Sequence, residues 1–342
     1  MIRFNNDYNH GALGCVMKTL SDINSQAYPG YGADEWCERA ENIIKNLTDE
    51  NAGVYFFPGA TQTNIVALSA MLNDVQSVIS ADTGHINSHE AGSTEHAGHK
   101  IIALEHREGK ITSEQIERAA RYYYENGEAE YLTEPKAVYI SFPTEFGTLY
   151  SRDELIKISA VCRKYGMYLF VDGARMSYGL SSEKNNVTLK DFASLTDVFY
   201  LGGTKCGALF GEALVIVNDT VKRRFRTYMK QNGAVLAKGW LLGAQFSSML
   251  SSGEYFTAAE RADKYADEIK RAFLNKNIPL AFDSPTNQQF AVLSRNQAEK
   301  LSEKFIFDVI ESDENTKTVR FCTSWSTTRS ETDALIEEIN KL

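Results

Sequence analysis

"KAVYISFPTEFGTLYSRDELIKISAVCRKYGMYLFVD", residues 136–172, places an amphipathic segment of helical length between two apolar runs. The runs KAVYISF (136–142) and MYLFVD (167–172) are short and almost wholly apolar, which is typical of strands buried on both faces of a sheet. Two such strands joined through a helix lie parallel in one sheet. The stretch therefore predicts a strand–helix–strand unit and an α/β fold.

The same alternation extends over most of the chain. Five further apolar runs are separated mostly by segments of helical length, and they are GVYFFP (53–58), SVISA (77–81), HKIIALE (99–105), DVFYLG (197–202) and EALVIV (212–217). After about residue 220 come long amphipathic helices, followed by PLAFD (279–283), QQFAVLS (288–294) and TVRFCTSW (318–325). We therefore expect a large domain with a mainly parallel seven-stranded sheet at residues 1–245, and a small C-terminal α+β domain at residues 246–342.

Composition and charge disfavour several classes of partner. The chain has 342 residues, a formal net charge of −9 and no basic run, which argues against nucleic acid and anionic membranes as partners. The N-terminus lacks the apolar core of a signal peptide, and no apolar run is long enough to span a bilayer. The five cysteines are scattered and never spaced C-x-x-C, which is typical of free thiols in a reducing compartment. These features predict a cytoplasmic protein.

Two polar features follow predicted strands, at the sheet edge where α/β proteins bind ligands. FFPGATQTN (56–64) runs from a strand into a helix start, where backbone N–H groups and the hydroxyls of Thr61 or Thr63 can bind an anion. Asp172 ends the strand MYLFVD, and a buried carboxylate there requires a cation or a strong donor. The structural alternatives are a simple capped helix in the first case and a local pair of Asp172 with Arg175 in the second.

The third feature is Lys205, which stands between Gly203 and Gly207 in YLGGTKCGALFGEALVIV (200–217). A lysine among apolar residues tends to lose its proton, and the neutral amine attacks aldehydes. The alternative is a lysine whose stem covers apolar surface; the glycines argue against it because they let a large group approach the backbone. An anion site, a carboxylate and an amine suit the phosphate, the ring nitrogen and the aldehyde of pyridoxal 5'-phosphate. The sequence therefore predicts this cofactor.

The chain resembles the threonine aldolase and β-eliminating lyase group of the fold type I, aspartate-aminotransferase-like enzymes. The segments that carry the resemblance cover nearly the whole chain, and they are YPGYGADEWCERAE (28–41), PGATQTN (58–64), ADTGHINSHEAG (81–92), FVDGAR (170–175), GGTKCGALFGEA (202–213) and TVRFCTSW (318–325). The resemblance implies a pyridoxal-phosphate enzyme that acts on a small L-amino acid.

The resemblance also implies which residues bind the cofactor. The implied set is Ala60, Thr61, His85, Asp172, Thr204, Lys205 and Lys238. Lys205 is implied to bind the aldehyde, Asp172 to hold the ring nitrogen protonated, and His85 to stack on the ring. The first two residues of the set are implied to hold the phosphate through their backbone N–H groups, with assistance from Thr204. Lys238 stands where the family often has an arginine that reaches the phosphate from the neighbouring subunit.

The implied substrate-binding residues are Asn6, Tyr31, Arg175 and Arg320. The two arginines are implied to bind the α-carboxylate through the planar fork of donors that guanidinium offers. Asn6 stands where most members of the family have a serine, and it can donate to the same carboxylate. Tyr31 is placed at a subunit boundary. Glu145, in FPTEFGTLY, stands where many threonine aldolases have a second histidine, and we expect it to act as a base near the β-hydroxyl.

Four of the six histidines lie in HINSHEAGSTEHAGH (85–99). The spacing of His85 and His89 would allow metal binding from one helix face, but the H-E-x-x-H motif is absent and no cysteine is close in sequence. We expect no metal, with His85 as the functional member. We interpret His89, His96 and His99 as ordinary helix and strand-entry residues.

The predicted function is that of an aldehyde-lyase in amino-acid metabolism, which cleaves the Cα–Cβ bond of L-threonine or L-allo-threonine to give glycine and an aldehyde. A homodimer or homotetramer is expected, because the resemblance places Tyr31 and Lys238 at a boundary between subunits. The alternatives are a pyridoxal-phosphate-dependent β-eliminating lyase or aminotransferase, a metal-dependent hydrolase that uses the His85–His99 cluster, and a non-catalytic binding protein of the same fold.

Overall fold

Strands and helices alternate along the first two thirds of the chain, and the computed structural model describes every residue from Met1 to Leu342. The strands are β1 Ile2–Arg3, β2 Gly53–Phe57, β3 Gln76–Ala81, β4 Lys100–Leu104, β5 Glu134–Ser141, β6 Tyr168–Asp172, β7 Val198–Gly202, β8 Glu212–Ile216, β9 Gln288–Ser294, β10 Phe305–Ile306, β11 Asp308–Ser312 and β12 Thr316–Cys322. The α-helices are α1 Gly14–Ile23, α2 Glu35–Leu47, α3 Ala60–Met71, α4 His85–Ser88, α5 Ser93–His96, α6 Ser113–Tyr124, α7 Arg152–Lys164, α8 Met176–Ser181, α9 Leu189–Leu195, α10 Asp219–Lys222, α11 Phe225–Gln231, α12 Trp240–Ser252, α13 Glu254–Asn275, α14 Arg295–Ser302 and α15 Arg329–Asn340. A single 3₁₀ turn covers Ala129–Tyr131.

The main sheet has seven strands in the order β2–β8–β7–β6–β5–β3–β4. Strand β8 runs antiparallel to both of its neighbours, and all other adjacent pairs are parallel. All seven apolar runs that predicted this sheet are strands in it, so the predicted α/β class and the mainly parallel seven-stranded sheet are confirmed.

Helices cover both faces of this sheet, which explains why its strands are apolar without alternation. In β5, Val138 and Ile140 pack in the cluster that includes Leu155 of α7. The alternate residue Tyr139 points to the opposite face, into the cluster that includes Leu68 of α3. Because successive side chains of a strand point to opposite faces, a strand covered on both sides must be apolar at almost every position.

A second, three-stranded antiparallel sheet has the order β11–β12–β9 and belongs to the small C-terminal domain. QQFAVLS and TVRFCTSW form β9 and β12, but PLAFD forms only an isolated bridge between Leu280 and Ala291. The third strand is β11, which the sequence did not indicate. It is an edge strand whose Val309 and Ile310 are 50% and 45% exposed, so it lacks the apolar pattern of a buried strand.

The expected boundary between the domains falls within a helix. Residue 245 lies inside α12, which packs on α1 and α2 of the large domain. At the other end of the chain, β1 pairs with β10, and Phe4 lies in the small-domain core near Phe321. The N-terminal residues therefore belong with the small domain, through pairing over a sequence distance that local pattern does not reveal. We propose that the large domain ends at Gly253, whose left-handed φ of 75° separates α12 from α13.

Candidate active site

The candidate residues follow strand ends at one edge of the main sheet. Gly202 of β7 and Phe57 of β2 both pair with Glu212 of β8, so the chain leaves these two strands at the same level. One exit leads to Lys205 and the other to the start of α3. Strand β6, the neighbour of β7, ends at Asp172 at this same edge. The sheet therefore brings the predicted amine, carboxylate and anion site to one edge.

The amine of Lys205 makes no hydrogen bond or ion pair within the chain, whereas its main chain is fixed by Tyr178, whose hydroxyl donates to the Lys205 carbonyl at 2.8 Å. Burial lowers the pKa of Lys205, and the positive charge of Arg175 lowers it further. The carboxylates of Asp7 and Asp172 oppose this shift only in part. An amine with a lowered pKa is more often neutral and is therefore a better nucleophile.

The glycines around Lys205 serve the packing of the chain itself. A Cβ atom on Gly203 would lie 2.5 Å from the carbonyl oxygen of Gly211. Gly207 has φ 112°, and a Cβ atom there would lie 2.4 Å from Leu13. The expectation that these glycines admit a large ligand is therefore wrong, because the neighbouring backbone and side chains already occupy the space.

Glu212 is buried near Lys205 and was not anticipated from the sequence. Its carboxylate accepts hydrogen bonds from the Gly203 N–H (2.9 Å) and the Thr204 hydroxyl (2.8 Å). Burial raises the pKa of Glu212 to about 8, against these bonds and the charge of Lys205. The Thr204 hydroxyl also accepts from the Gly211 N–H at 3.0 Å, and the Thr204 N–H donates to the Gly211 carbonyl. Both donors of Thr204 are thus engaged within the chain, and its expected assistance to the phosphate stays a prediction.

Asp172 is only 4% exposed, and its carboxylate accepts three hydrogen bonds within the chain. One oxygen accepts from the Ala174 N–H at 2.9 Å, and the other accepts from the Asn64 amide at 3.3 Å and from the Tyr139 hydroxyl. Burial by itself raises the pKa of Asp172, but the charge of His85 and the bonds from Tyr139 and Ala174 hold it below its ordinary value. Asp172 is therefore a buried anion at neutral pH.

His85 begins α4, and its ring is tied to the same network. Nδ1 lies 2.7 Å from a carboxylate oxygen of buried Glu90, which also accepts from the Asn64 amide at 2.7 Å. Because a carboxylate only accepts, Nδ1 carries the proton of the ring. Asn64 thus connects His85, through Glu90, to Asp172. This hydrogen-bond network fixes the orientation of the His85 ring.

Glu145 is held in place by hydrogen bonds at the end of β5. One carboxylate oxygen accepts from the Ser141 hydroxyl at 2.6 Å and from the His85 N–H at 3.1 Å. Burial raises the pKa of Glu145. The carboxylate therefore fastens the end of β5 to the start of α4, and that oxygen is not free to act as a base near a β-hydroxyl.

Arg175 is paired with Asp7, not with Asp172. Its Nε and Nη2 donate to the two carboxylate oxygens of Asp7 at 2.6 and 3.1 Å, and the Asn287 amide donates to one of them at 3.0 Å. Burial raises the pKa of Asp7, but Arg175 and Lys205 hold it below its ordinary value. The bidentate pair fixes the plane of the guanidinium and leaves Nη1 without a partner in the chain.

Arg320 lies on β12 and is also held by the chain. Its Nη2 donates to the Asn5 carbonyl at 3.1 Å and to the Asp308 carboxylate, and its Nη1 donates to the Gln288 side chain at 3.2 Å. Its Nε is buried and has no partner.

The segment Asn5–Asp7 connects the two arginines, because its first residue bonds to Arg320 and its last to Arg175. Asn6 lies between them. Its side-chain oxygen accepts from the Tyr8 N–H at 3.0 Å, and its side-chain N–H groups have no partner in the chain. The structure therefore brings together Asn6 and the two arginines that the resemblance assigned to one carboxylate.

Helix α3 begins at Ala60 without a side-chain cap. The N–H groups of Ala60, Thr61 and Gln62 have no acceptor within the helix, as the first turn of any helix requires. Together with the helix dipole they form a site suited to an anion.

Tyr31 and Lys238 lie side by side on the surface. The Tyr31 N–H donates to the Ala237 carbonyl at 3.1 Å, and the Tyr31 ring is 52% exposed beneath the Lys230 ammonium, which lies 5.1 Å from its centroid. Lys238 is exposed and forms no ion pair. The two segments that were expected to share a subunit boundary are therefore adjacent in the structure.

The histidine segment does not form a metal site. No group of three or more His, Cys, Asp or Glu side chains is arranged to hold a metal ion. His99 is buried at the entry to β4 and His96 is exposed, but the rings of His85 and His89 stack with centroids 5.7 Å apart. His89 was expected to be an ordinary helix residue, and it lies beside the site instead.

No helix is both long and apolar enough to cross a membrane.

The fold and this edge site define the class of the protein as the aspartate-aminotransferase-like, fold type I group. Aspartate aminotransferase from Thermus thermophilus matches with a TM-score of 0.72 over 100% of this chain and 91% of its own, at 14% identity, which shows a shared fold alone. A structure of Leishmania major threonine aldolase matches with a TM-score of 0.97 at 39% identity, over 100% of this chain and 99% of its own.

Sequence comparison defines the family. The low specificity L-threonine aldolase of Pseudomonas aeruginosa is 28% identical over 302 residues, which are 87% of this chain and 86% of that protein. That of Saccharomyces cerevisiae is 22% identical over 271 residues, covering 78% and 67% of the two chains. The sequence model of the β-eliminating lyase family matches residues 22–296. The chain belongs to the β-eliminating lyase family, and the predicted resemblance is confirmed.

Pyridoxal 5'-phosphate is the cofactor that this family implies, and the residues at the sheet edge fit it. The fit depends on groups that the chain itself leaves unpaired or ionised. The amine of Lys205 has no partner, Asp172 is a buried anion, and the first N–H groups of α3 are open. An aldehyde, a protonated ring nitrogen and a phosphate are the complementary groups.

Proposed function

We propose that this protein cleaves the Cα–Cβ bond of L-threonine or L-allo-threonine to give glycine and acetaldehyde. The observation that carries the proposal is the amine of Lys205, which has no partner in the chain and lies at the sheet edge where ligands bind. The charges of Asp172 and Arg175 both act on its pKa. The whole-chain similarity to threonine aldolases supports this reaction over other reactions of the same fold.

The residues that would hold the cofactor are those at the strand ends. Lys205 would bind the aldehyde, and Asp172 would keep the ring nitrogen protonated. The N–H groups of Ala60 and Thr61 would bind the phosphate, and Lys238 of a second subunit would reach it. When bound, the cofactor supplies a conjugated ring that stabilises the electron pair left on the substrate Cα after bond cleavage.

The amino-acid carboxylate would lie between Arg175 and Arg320. Asp7 fixes the first guanidinium in one plane, so little conformational entropy is lost when its free Nη1 binds the substrate. Asn6 stands between the two arginines and can add a neutral donor. This arrangement supports a small α-amino acid as the substrate class.

His85 would stack on the cofactor ring, and its orientation depends on two buried carboxylates. Glu90 holds Nδ1, and Glu145 holds the main-chain N–H. We assign Glu145 a positioning role toward His85 in place of the base role expected from the sequence, because its bonded oxygen faces Ser141 and α4.

We further propose a homodimer or a dimer of dimers, with the Tyr31 and Lys238 segments at the subunit boundary. Their adjacency and exposure support this assignment. None of the five cysteines forms a disulfide, which suits the reducing cytoplasm as the location of the protein.

The test is acetaldehyde release coupled to alcohol dehydrogenase, with L-threonine and L-allo-threonine as substrates. We expect acetaldehyde and glycine in equal amounts. Pyruvate from serine or cysteine, without acetaldehyde from either threonine isomer, would instead indicate β-elimination. Conversion of a 2-oxo acid acceptor into an amino acid would indicate transamination.

A further inference from the structure

His89 directly follows α4 and lies beside His85 but outside the buried network that holds it. The two rings stack with centroids 5.7 Å apart and an interplanar angle of 21°. The His89 side chain is exposed, so one side of its ring remains open. No other residue of the histidine-rich segment is stacked on His85.

Ser88 determines which nitrogen of His89 carries the proton. The Ser88 hydroxyl lies 2.7 Å from Nδ1 of His89 and 3.1 Å from the carbonyl oxygens of Thr83 and Gly84. A carbonyl oxygen can only accept, so the single hydroxyl proton points to a carbonyl. The Ser88 oxygen therefore accepts from Nδ1–H, and Nε2 of His89 keeps its lone pair. Nε2 has no partner within the chain.

Burial and the charged groups around His89 act on its pKa in the same direction. Burial lowers its pKa, and the nearby positive groups His85, Arg320 and Lys205 lower it further. No acidic group contributes an opposing shift. The arginine assigned to the substrate carboxylate and the lysine assigned to the cofactor are thus among the charges that act on His89.

The other candidate bases at this sheet edge each use a polar atom in a contact within the chain. One oxygen of Glu145 accepts from Ser141 and from the main chain of His85. Nδ1 of His85 donates to Glu90, and the His85 ring is the one assigned to stack on the cofactor. His106 pairs with Asp82.

We propose that Nε2 of His89 is the base that takes the proton from the β-hydroxyl of the substrate. This inference rests on the proposed cleavage reaction. In the step, the O–H bond breaks and its proton forms a bond to Nε2, while the O–H electron pair becomes the second bond of the aldehyde C=O. The Cα–Cβ bond breaks, and its electron pair remains with Cα, which later takes a proton to give glycine. The imidazolium returns its proton to water through the open side of the ring.

The test compares His89→Gln and His89→Asn with His96→Gln, an exposed histidine of the same segment. We expect both His89 variants to lower kcat for threonine cleavage by at least about 100-fold, the usual contribution of a general base. His96→Gln should behave as the wild type. Exchange of the glycine α-hydrogen with D₂O, which involves no β-hydroxyl, should stay within about twofold of the wild type in all variants.

A second readout does not depend on activity. In protein without cofactor, the His89 ring signal, identified by its absence in His89→Gln, should titrate below 6.5 in an NMR experiment with labelled histidine. Normal cleavage by both His89 variants, or parallel loss of cleavage and glycine exchange, would overturn the inference. A wild-type protein that exchanges glycine but cleaves neither threonine isomer would instead refute the proposed function.

Discussion

Lys205 shows how one side chain acquires reactivity from its surroundings. Its amine is surrounded by charges of both signs, yet burial and Arg175 outweigh the nearby carboxylates and lower its pKa. Buried Glu212 shares this region, and burial raises its pKa to about 8, so the lysine and the glutamate each shift toward the neutral form. The neutral amine is the form that can bind an aldehyde.

We predict that borohydride reduction of the protein with pyridoxal phosphate will attach the cofactor to Lys205. The reason is that this amine has no competing partner and a lowered pKa. Peptide mapping by mass spectrometry checks the site. Lys205→Ala should abolish the labelling, and a label on a different lysine in the wild type would exclude Lys205 as the attachment site.

Asp172 should control turnover more than cofactor retention. We expect Asp172→Asn to lose about 2–4 kcal/mol of transition-state stabilisation, as preorganised charges usually contribute, because a neutral amide cannot keep the ring nitrogen protonated. The measurements are kcat/KM and the absorbance of bound cofactor. Tyr139→Phe, which removes one donor to Asp172 but keeps its charge, is the matched control and should lose less. Equal losses in the two variants would contradict the role of the charge.

Arg320 should affect substrate binding. We expect Arg320→Lys to raise the KM for threonine by on the order of tenfold with little change in bound cofactor, because a point charge replaces a planar fork of donors poorly. Arg329→Lys is a suitable control, because Arg329 is an exposed arginine paired with Glu268 and Asp333. Loss of cofactor with an unchanged KM would instead assign Arg320 to the phosphate.

At the scale of elements, the N-terminal segment is the link between the two domains at the site. Strand β1 is anchored in the small domain by β10 and by Phe4, and the residues that follow contact Arg320 and Arg175. The first element of the chain therefore positions two arginines that come from different domains. Its role depends on pairing across the chain, since a two-residue strand has no stability of its own.

Helix α13 contains a buried carboxylate, Asp263, whose two oxygens have no hydrogen-bond partner. Burial raises the pKa of Asp263 well above the ordinary 3.8. Above pH 3.8 the unfolded chain loses this proton while the folded chain retains it, so the stability contributed by the group falls as pH rises toward its folded pKa.

We predict that Asp263→Asn will be more stable than the wild type at neutral pH, by about 1–3 kcal/mol, because the amide cannot ionise in the buried site. The difference should shrink as pH falls toward 4. Urea unfolding between pH 5 and pH 8 measures it. Asp267→Asn, at a half-exposed position of the same helix, should show no such trend, and a pH-independent difference for Asp263→Asn would refute the explanation.

For the whole molecule, we predict a dimer or a larger assembly of the 38.3 kDa chain, measurable by light scattering. Lys238→Ala should weaken cofactor affinity by on the order of tenfold, since it removes a charged donor to the phosphate, and should leave the assembly intact. Lys190→Ala, another exposed lysine, is the control. A monomer with full activity would refute the shared site.

Local pattern determined the main architecture of this protein. The seven strands of the main sheet could be predicted because each is a short apolar run and most of them are separated by helices. For the central strands, burial on both faces requires that composition over a few consecutive residues. Lys205, Asp172 and the start of α3 could be located for a related reason. A polar group directly after such a run must lie at the carboxyl edge of the sheet, where ligands bind.

Only the tertiary structure decided how the side chains pair. The bond between Arg175 and Asp7 joins residues 168 positions apart, and the position of β1 in the small domain depends on a strand some 300 residues later. The hydrogen bonds that Glu145 accepts from Ser141 and His85, and the stacking of His89 on His85, likewise depend on packing between α4 and the end of β5. Such contacts arise from the three-dimensional arrangement of segments that are remote in sequence. The residues next to them in sequence do not indicate which partner each side chain will meet.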